Sequence, residues 1–140
     1  MSSDPVALLD ASALVAVLFQ ETGHDVVETI LDSGRAATTS IALAEALNVA
    51  RRKEHELDAS TLRTVFAMKE LRVEPVVETD AIAAAVVLAI ADQQRTTRAS
   101  ISLADATCLA VARRLDVPVV TGDRQWTDLS LDDVAIRLFR

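Results

Sequence analysis

The residues best equipped for chemistry in this chain are acids set where an α/β protein would present them. Two lie in the stretch Ile101 to Trp126, ISLADATCLAVARRLDVPVVTGDRQW. Ser102 to Leu115 is rich in Ala and Leu with almost no breakers and predicts a helix. Val117 to Thr121 predicts a short buried strand, after which Gly122 turns the chain into Asp123. Asp105 lies one turn inside the helix. Ile101 precedes it by one turn, and Cys108, Leu109 and Ala112 follow it on the same apolar face. Near the start of the chain, Val6 to Leu9 predicts a fully buried, parallel strand that ends at Asp10. Glu45 falls in the first turns of a predicted helix, Ile41 to about Glu54, with Ile41, Ala42 and Val49 as apolar neighbours.

Carboxylates gathered in one place need a reason. Two of them about 4 Å apart, at an effective dielectric near 20, repel by roughly 4 kcal/mol. A group of four either takes up protons or recruits a cation. Oxygen-only donors with no Cys or His at ligand spacing favour Mg²⁺ or Mn²⁺ over zinc. Each acid also has a plainer reading. Asp105 with Ser102 fits a capping box. Glu45 could be an ordinary helix-surface residue, and Asp10 and Asp123 could cap the following helix or shape a turn. It is their joint placement at one sheet edge that favours a site.

The elements that must position these acids alternate between strand and helix. Ser12 can cap a helix from Ala13 to about Gln20, and Gly23 breaks it. A short helix, Asp25 to Asp32, is closed by Gly34, and Ala36 to Thr39 is a weak second strand. Thr39 or Ser40 caps the helix that carries Glu45. An amphipathic helix spans about Ala59 to Leu71, and Arg72 to Val77 reads as an edge strand because Pro75 interrupts it. Thr79 is expected to cap a long core helix from Asp80 to about Gln94. The polar link QQRTTRAS after it is the expected mobile loop, and Val134 to Phe139 is the last strand. This alternation predicts an α/β domain whose largely parallel sheet is covered on both faces, residues 1–140 forming one domain. Such sheets bind ligands outside the carboxyl ends of their strands, where Asp10 and Asp123 belong.

Composition narrows the class. With 140 residues, 51% hydrophobic and 25% charged, the chain is globular and can bury a core unaided. The single Cys108 excludes an internal disulfide framework and reads as a small core residue. No targeting signal is evident, and the apolar run Ala81 to Ala91 is too short to span a bilayer, so the expected location is the cytoplasm. The net charge of −7, from 14 basic and 21 acidic residues, argues on its face against nucleic acid. An acidic cluster loaded with cation softens that objection, and the basic residues are bunched at Arg51-Arg52-Lys53, Arg95/Arg98 and Arg113-Arg114. Aromatics at 3% exclude a base-stacking platform. His24 and His55, the 51–53 cluster and Arg113-Arg114 read as solvated, Trp126 as packing over the sheet edge, and Asp128, Asp132 and Asp133 as loop residues.

The segments LLDASALVAVLFQETG, TTSIALAEALNVARR, SLADATCLAVARRLDVPVVTGDRQW and VAIRLF together resemble the PIN-domain ribonucleases, and specifically VapC-like toxins of toxin–antitoxin pairs. The resemblance implies a five-stranded parallel sheet with helices on both faces. It implies a metal site in which Asp10, Glu45, Asp105 and Asp123 occupy the family's acidic positions, with Ser12 and Thr121 as hydroxyl helpers. It further implies Mg²⁺- or Mn²⁺-dependent endoribonuclease activity, an RNA substrate, a small antitoxin partner and a homodimer. Two other classes compete. A non-catalytic RNA- or protein-binding domain would keep the fold without the reaction. A phosphoacceptor signalling module would need a lysine at a late strand end, whereas Lys53 and Lys69 both fall in helices.

Overall fold

The structure is a computed structural model, described for residues 4–94 and 101–140. Its centre is a five-stranded, all-parallel sheet. In chain order the strands are β1 (Ala7–Leu9), β2 (Ala36–Thr39), β3 (Arg72–Glu74), β4 (Val119–Thr121) and β5 (Ile136–Leu138). The helices are α1 (Ala11–Phe19), α2 (His24–Asp32), α3 (Ser40–Arg52), α4 (Ala59–Met68), α5 (Glu78–Gln93) and α6 (Leu103–Leu115), with a 3-10 turn at Arg124–Asp128. The spatial order β3-β2-β1-β4-β5 reverses direction between β1 and β4.

Alternate residues of the strands feed two cores. Ala7, Leu9, Ala36 and Val120 pack against Leu14, Val27, Ile30, Leu31 and Phe66 from α1, α2 and α4. Leu8, Ala37 and Val119 pack on the opposite face against Leu109, Val111, Ala112 and Trp126. Burial on both faces is why these strands are continuous apolar runs rather than alternating ones. Trp126 is accordingly a core residue beneath the 3-10 turn. The edge position of β3 agrees with Pro75 just beyond it.

Several sequence expectations are corrected. Asp10, not Ser12, caps α1: its carboxylate accepts from the Ala13 amide at 2.9 Å, and the helix starts at Ala11. Thr39 caps α3, accepting from Ala42 N at 2.9 Å. Thr79 lies inside α5, and Asp80 accepts from the Val77 amide at 3.0 Å. Helices α1, α3 and α4 end at Phe19, Arg52 and Met68, one to three residues before the expected Gln20, Glu54 and Leu71, and the chain then passes through Gln20, Glu54 and Glu70 at positive φ. The run Ala81 to Ala91 is not a fully buried helix. One face of α5 packs on α6 through Ala84, Ala106 and Ala110, while Ile82 and Val86 on the other are 63% and 50% exposed. The expected mobile link lies largely outside the described residues; Gln94 within it bonds the Ser130 backbone.

Candidate active site at the strand switch point

Because β1 and β4 flank the reversal of strand order, the residues that follow them share the crevice where parallel sheets hold ligands. Asp10 follows β1 directly, and Asp123 follows β4 by two residues. The register pairs Leu9 with Val120, which sets Asp10 level with Thr121. Asp10 is 4% exposed, and both of its oxygens are engaged. Ser12 Oγ donates to Oδ1 at 2.6 Å, and Thr121 Oγ donates to Oδ2 at 2.5 Å. Each hydroxyl also accepts a backbone amide: Gly122 N–H to Ser12 at 2.9 Å, and Asp123 N–H to Thr121 at 3.0 Å. Ser12 and Thr121 thus bridge the Asp10 carboxylate to the turn that carries Asp123. A Ser or Thr hydroxyl can donate once and accept besides, which is what such a bridge requires.

Asp105 enters from the first turn of α6. Its Oδ2 accepts from the Ser102 amide at 3.2 Å, and Ser102 Oγ accepts from the Asp105 amide at 3.1 Å. The capping box is therefore real, and among the described residues the other carboxylate oxygen has no hydrogen bond. Asp105 is half-buried rather than turned into the core. Glu45 sits in the second turn of α3, not the first, and is exposed at the rim. Asp123 accepts from Gln125 N at 2.9 Å, capping the 3-10 turn.

The structure brings all four acids into one electrostatic neighbourhood. Burial pushes the Asp10 carboxyl above its usual range, against the lowering effect of Ser12, Thr121 and Ala13, and Asp105 raises it further. Burial and then the charges of Asp105 and Asp10 raise Glu45. Burial raises Asp105, as does Asp123, while Ser102 works the other way. Among the described residues none of the four forms an ion pair with Lys, Arg or His. Beneath them Cys108 is buried, with its thiol held up by burial and by Asp10, and lies 3.8 Å from the Thr39 hydroxyl. Its place on the Asp105 face of α6 is legible from the three-residue spacing, whereas its closeness to Asp10 is not.

Among the described residues, no three His, Cys, Asp or Glu side chains form a ready-made metal cage. The donor chemistry nevertheless fits a hard divalent ion: uncompensated carboxylates and no nitrogen or sulfur ligand. Mg²⁺ is commonly held by one or two carboxylates, with water and substrate phosphate completing the octahedron, so a three-residue cage is not required.

Residues set aside in the sequence behave differently from expectation in two places. His55 is not simply solvated: Nε2 lies 3.2 Å from Leu18 O, Nδ1 accepts from Leu57 N, and the ring meets Phe19 edge-on. Arg114 is no solvated charge either. It bonds Asp80 at 3.0 Å and Glu74 at 3.4 Å, both buried acids. A phosphoacceptor site lacks its lysine, because Lys53 pairs with Glu21 and Lys69 with Asp32.

A parallel sheet whose switch point carries carboxylates, in place of a glycine-rich phosphate loop, defines a class of α/β domain apart from the dinucleotide binders. Within that class the chain belongs to the PIN domain family, whose family model matches residues 7–131. Among solved structures, the fold is similar to a chain of VapBC2 from Rickettsia felis, crystallised on a promoter DNA fragment. The TM-score is 0.73 at 12% identity, covering 95% of this chain and 98% of that one. It is also similar to a chain of DNA-bound VapBC from Salmonella typhimurium, with TM-score 0.72, 19% identity, and 97% and 99% covered. VapC20 of Mycobacterium tuberculosis, a sarcin-ricin loop cleaving toxin, matches with TM-score 0.67 at 19% identity over 89% and 96%. No curated protein sequence matches the chain.

Proposed function

We propose that this chain is the toxin of a toxin–antitoxin pair, a single-domain cytoplasmic endoribonuclease that hydrolyses RNA phosphodiester bonds with Mg²⁺ or Mn²⁺. One observation carries the reading: four acids, without a cationic partner among the described residues, gather at the switch point of a PIN-domain sheet, where Asp105 raises the pKa of Asp10 and Glu45. The likeness to VapC20 and to two VapBC complexes supports it.

Asp10, Asp105 and Asp123 would hold the ion, which when bound polarises the scissile phosphate and acidifies an attacking water. Ser12 and Thr121 hold the Asp10 carboxylate in one orientation and tie it to the Gly122–Asp123 turn. Fixed orientation matters because a ligand free to rotate must be ordered during the reaction. Glu45, exposed and with its pKa raised, is suited to take the proton of the attacking water.

A groove of about 320 Å³ between α1, α2 and α4, lined by Val17, Leu18, Leu31, Leu62, Val65 and Phe66, suits an amphipathic antitoxin segment. The exposed apolar face of α5, with Ile82 and Val86, suits a second copy of the chain.

The test is cleavage of total bacterial RNA in Mn²⁺, with and without EDTA, by the intact protein and by Asp10→Asn. Cleavage is expected only from the intact protein with free metal. Activity that survives EDTA or the substitution refutes the metal mechanism, and no activity in the intact protein leaves a binding module. Glu45→Gln is expected to lose about a hundredfold in kcat.

A further inference from the structure

An acidic site on a chain of net charge −7 needs a cation of its own to meet a phosphodiester, and the structure offers one from outside the four acids. A Cβ added to Gly122 would stand 2.6 Å from Arg140 Nε, 2.9 Å from its guanidinium carbon and 2.9 Å from a terminal nitrogen. The guanidinium therefore lies against the Gly122 backbone, where any other residue would displace it. Gly122 is the residue whose amide reaches Asp10 through the Ser12 hydroxyl. Its neighbour in sequence is Asp123.

Two contacts hold the group there. The guanidinium carbon is 5.1 Å from the centre of the Phe139 ring, and one terminal nitrogen reaches Glu21 at 3.4 Å. That bond is long, and both partners are about a third exposed, so the pair is weak and easily exchanged. Among the described residues it is the only hydrogen bond the Arg140 side chain makes, leaving most of its five donors free. A planar, pre-positioned fork with free donors is the side chain best matched to phosphate.

We propose that Arg140 binds a phosphate of the RNA at the rim beside the acids, its guanidinium seated on Gly122 and released from Glu21 when substrate arrives. It is a substrate-contacting residue that keeps the strand against the acidic cluster, and Gly122 is glycine to admit it. The proposal rests on the nuclease reading of the site.

The experiment uses the full chain and a pool of single-stranded RNA of randomised sequence. Cleavage kinetics in Mn²⁺ are measured across a KCl series for the intact protein, Arg140→Gln, Arg140→Lys, Glu21→Gln and Arg63→Gln. The last removes one exposed positive charge from α4, an element that carries none of the four acids. Binding is followed over the same series in the Asp10→Asn background, so that RNA survives. Arg140→Gln is expected to raise KM and Kd about tenfold and to reduce the slope of log Kd against log salt by about 0.7, one single-strand phosphate. Arg140→Lys should restore much of the salt slope, and Glu21→Gln should bind RNA as well as or better than the intact protein. If Arg140 merely clamps the end of β5 to the link after α1, Glu21→Gln will impair the enzyme as Arg140→Gln does, with no change in salt slope, and the proposal falls. Arg63→Gln matching Arg140→Gln would reduce the effect to net charge and overturn it equally. An intact protein that neither binds nor cleaves RNA would remove the nuclease reading together with this one. Normal cleavage with an unaltered Arg140→Gln removes this one alone.

Discussion

Three acids of the candidate site are held at a cost to the fold. Asp10, Glu45 and Asp105 have folded pKa values raised above ordinary values of 3.8, 4.5 and 3.8. A raised folded pKa contributes stability below the unfolded value and loses it as pH rises through the folded value. These three acids therefore contribute less to the stability of the metal-free protein as pH rises above their ordinary values. Asp105→Asn keeps an oxygen for the Ser102 amide while removing a charge. It should raise the Tm in EDTA by a few degrees at pH 8 and much less at about pH 3.5, below the ordinary Asp value of 3.8. Scanning calorimetry checks this, and an equal rise at both pH values would contradict the repulsion account. Mn²⁺ should stabilise the intact protein more than the variant. At this scale Asp10 and Asp123 are legible in the sequence because an apolar run that stops at an acid marks a strand end. The double role of Ser12 and Thr121 is not, because it depends on a register between residues more than a hundred positions apart.

At the scale of the element, the order of strands and helices follows from periodicity, while their ends do not. Lys53 and Lys69 close α3 and α4, and the chain then turns through Glu54 and Glu70 at φ 56° and 58°. Nothing in a glutamate announces a left-handed turn. The residue is forced into it by the packing of the helix before and the segment after. That conformation costs a side chain about 1–2 kcal/mol, partly offset by the greater unfolded freedom of glycine. Glu54→Gly should therefore stabilise the protein by about 0.5 kcal/mol, read as a higher urea midpoint at unchanged m. At the start of α1 the two readings that the sequence offers for Asp10 are not alternatives: it caps the helix and stands among the candidate site's acids. Leu9, wholly buried beside it, should cost about 2–5 kcal/mol when cut to Ala. Helix α5 is the other misreading. An uninterrupted apolar run looks like core, but α6 occupies the layer against the sheet and leaves half of α5 uncovered.

Across the whole molecule, Arg114 ties α6 to the end of β3 and the start of α5 through Glu74 and Asp80. Burial alone would raise the Asp80 carboxyl, but the Arg114 guanidinium and the Val77 amide together hold it below its ordinary value of 3.8. A depressed pKa contributes stability above the unfolded value and loses it as pH falls through the folded one. This tie should therefore weaken only below about pH 3.8 and not across neutral pH. Arg114→Gln leaves buried Asp80 without a cation, while Glu74 keeps Arg72, and should destabilise by about 3 kcal/mol, the low end for a broken buried pair because the arginine is a third exposed. Chemical denaturation at pH 7 measures it, and Asp80→Asn in the same chain should recover part of the loss. The network was invisible in the sequence, where two adjacent arginines on a helix read as a wet surface.

The placement of β4 between β1 and β5 has a further consequence for how the molecule comes into being. During synthesis β1 emerges early and can pair with β2 on one side. Its other side stays an open edge until residues 119–121 arrive to fill it. Asp10 and Glu45 are then already translated, while Asp105 and Asp123 belong to the last third of the chain. A nascent chain still on the ribosome thus carries half a set of acids and no crevice. Any chemistry that needs all four acids must therefore wait until β4 has taken its place beside β1.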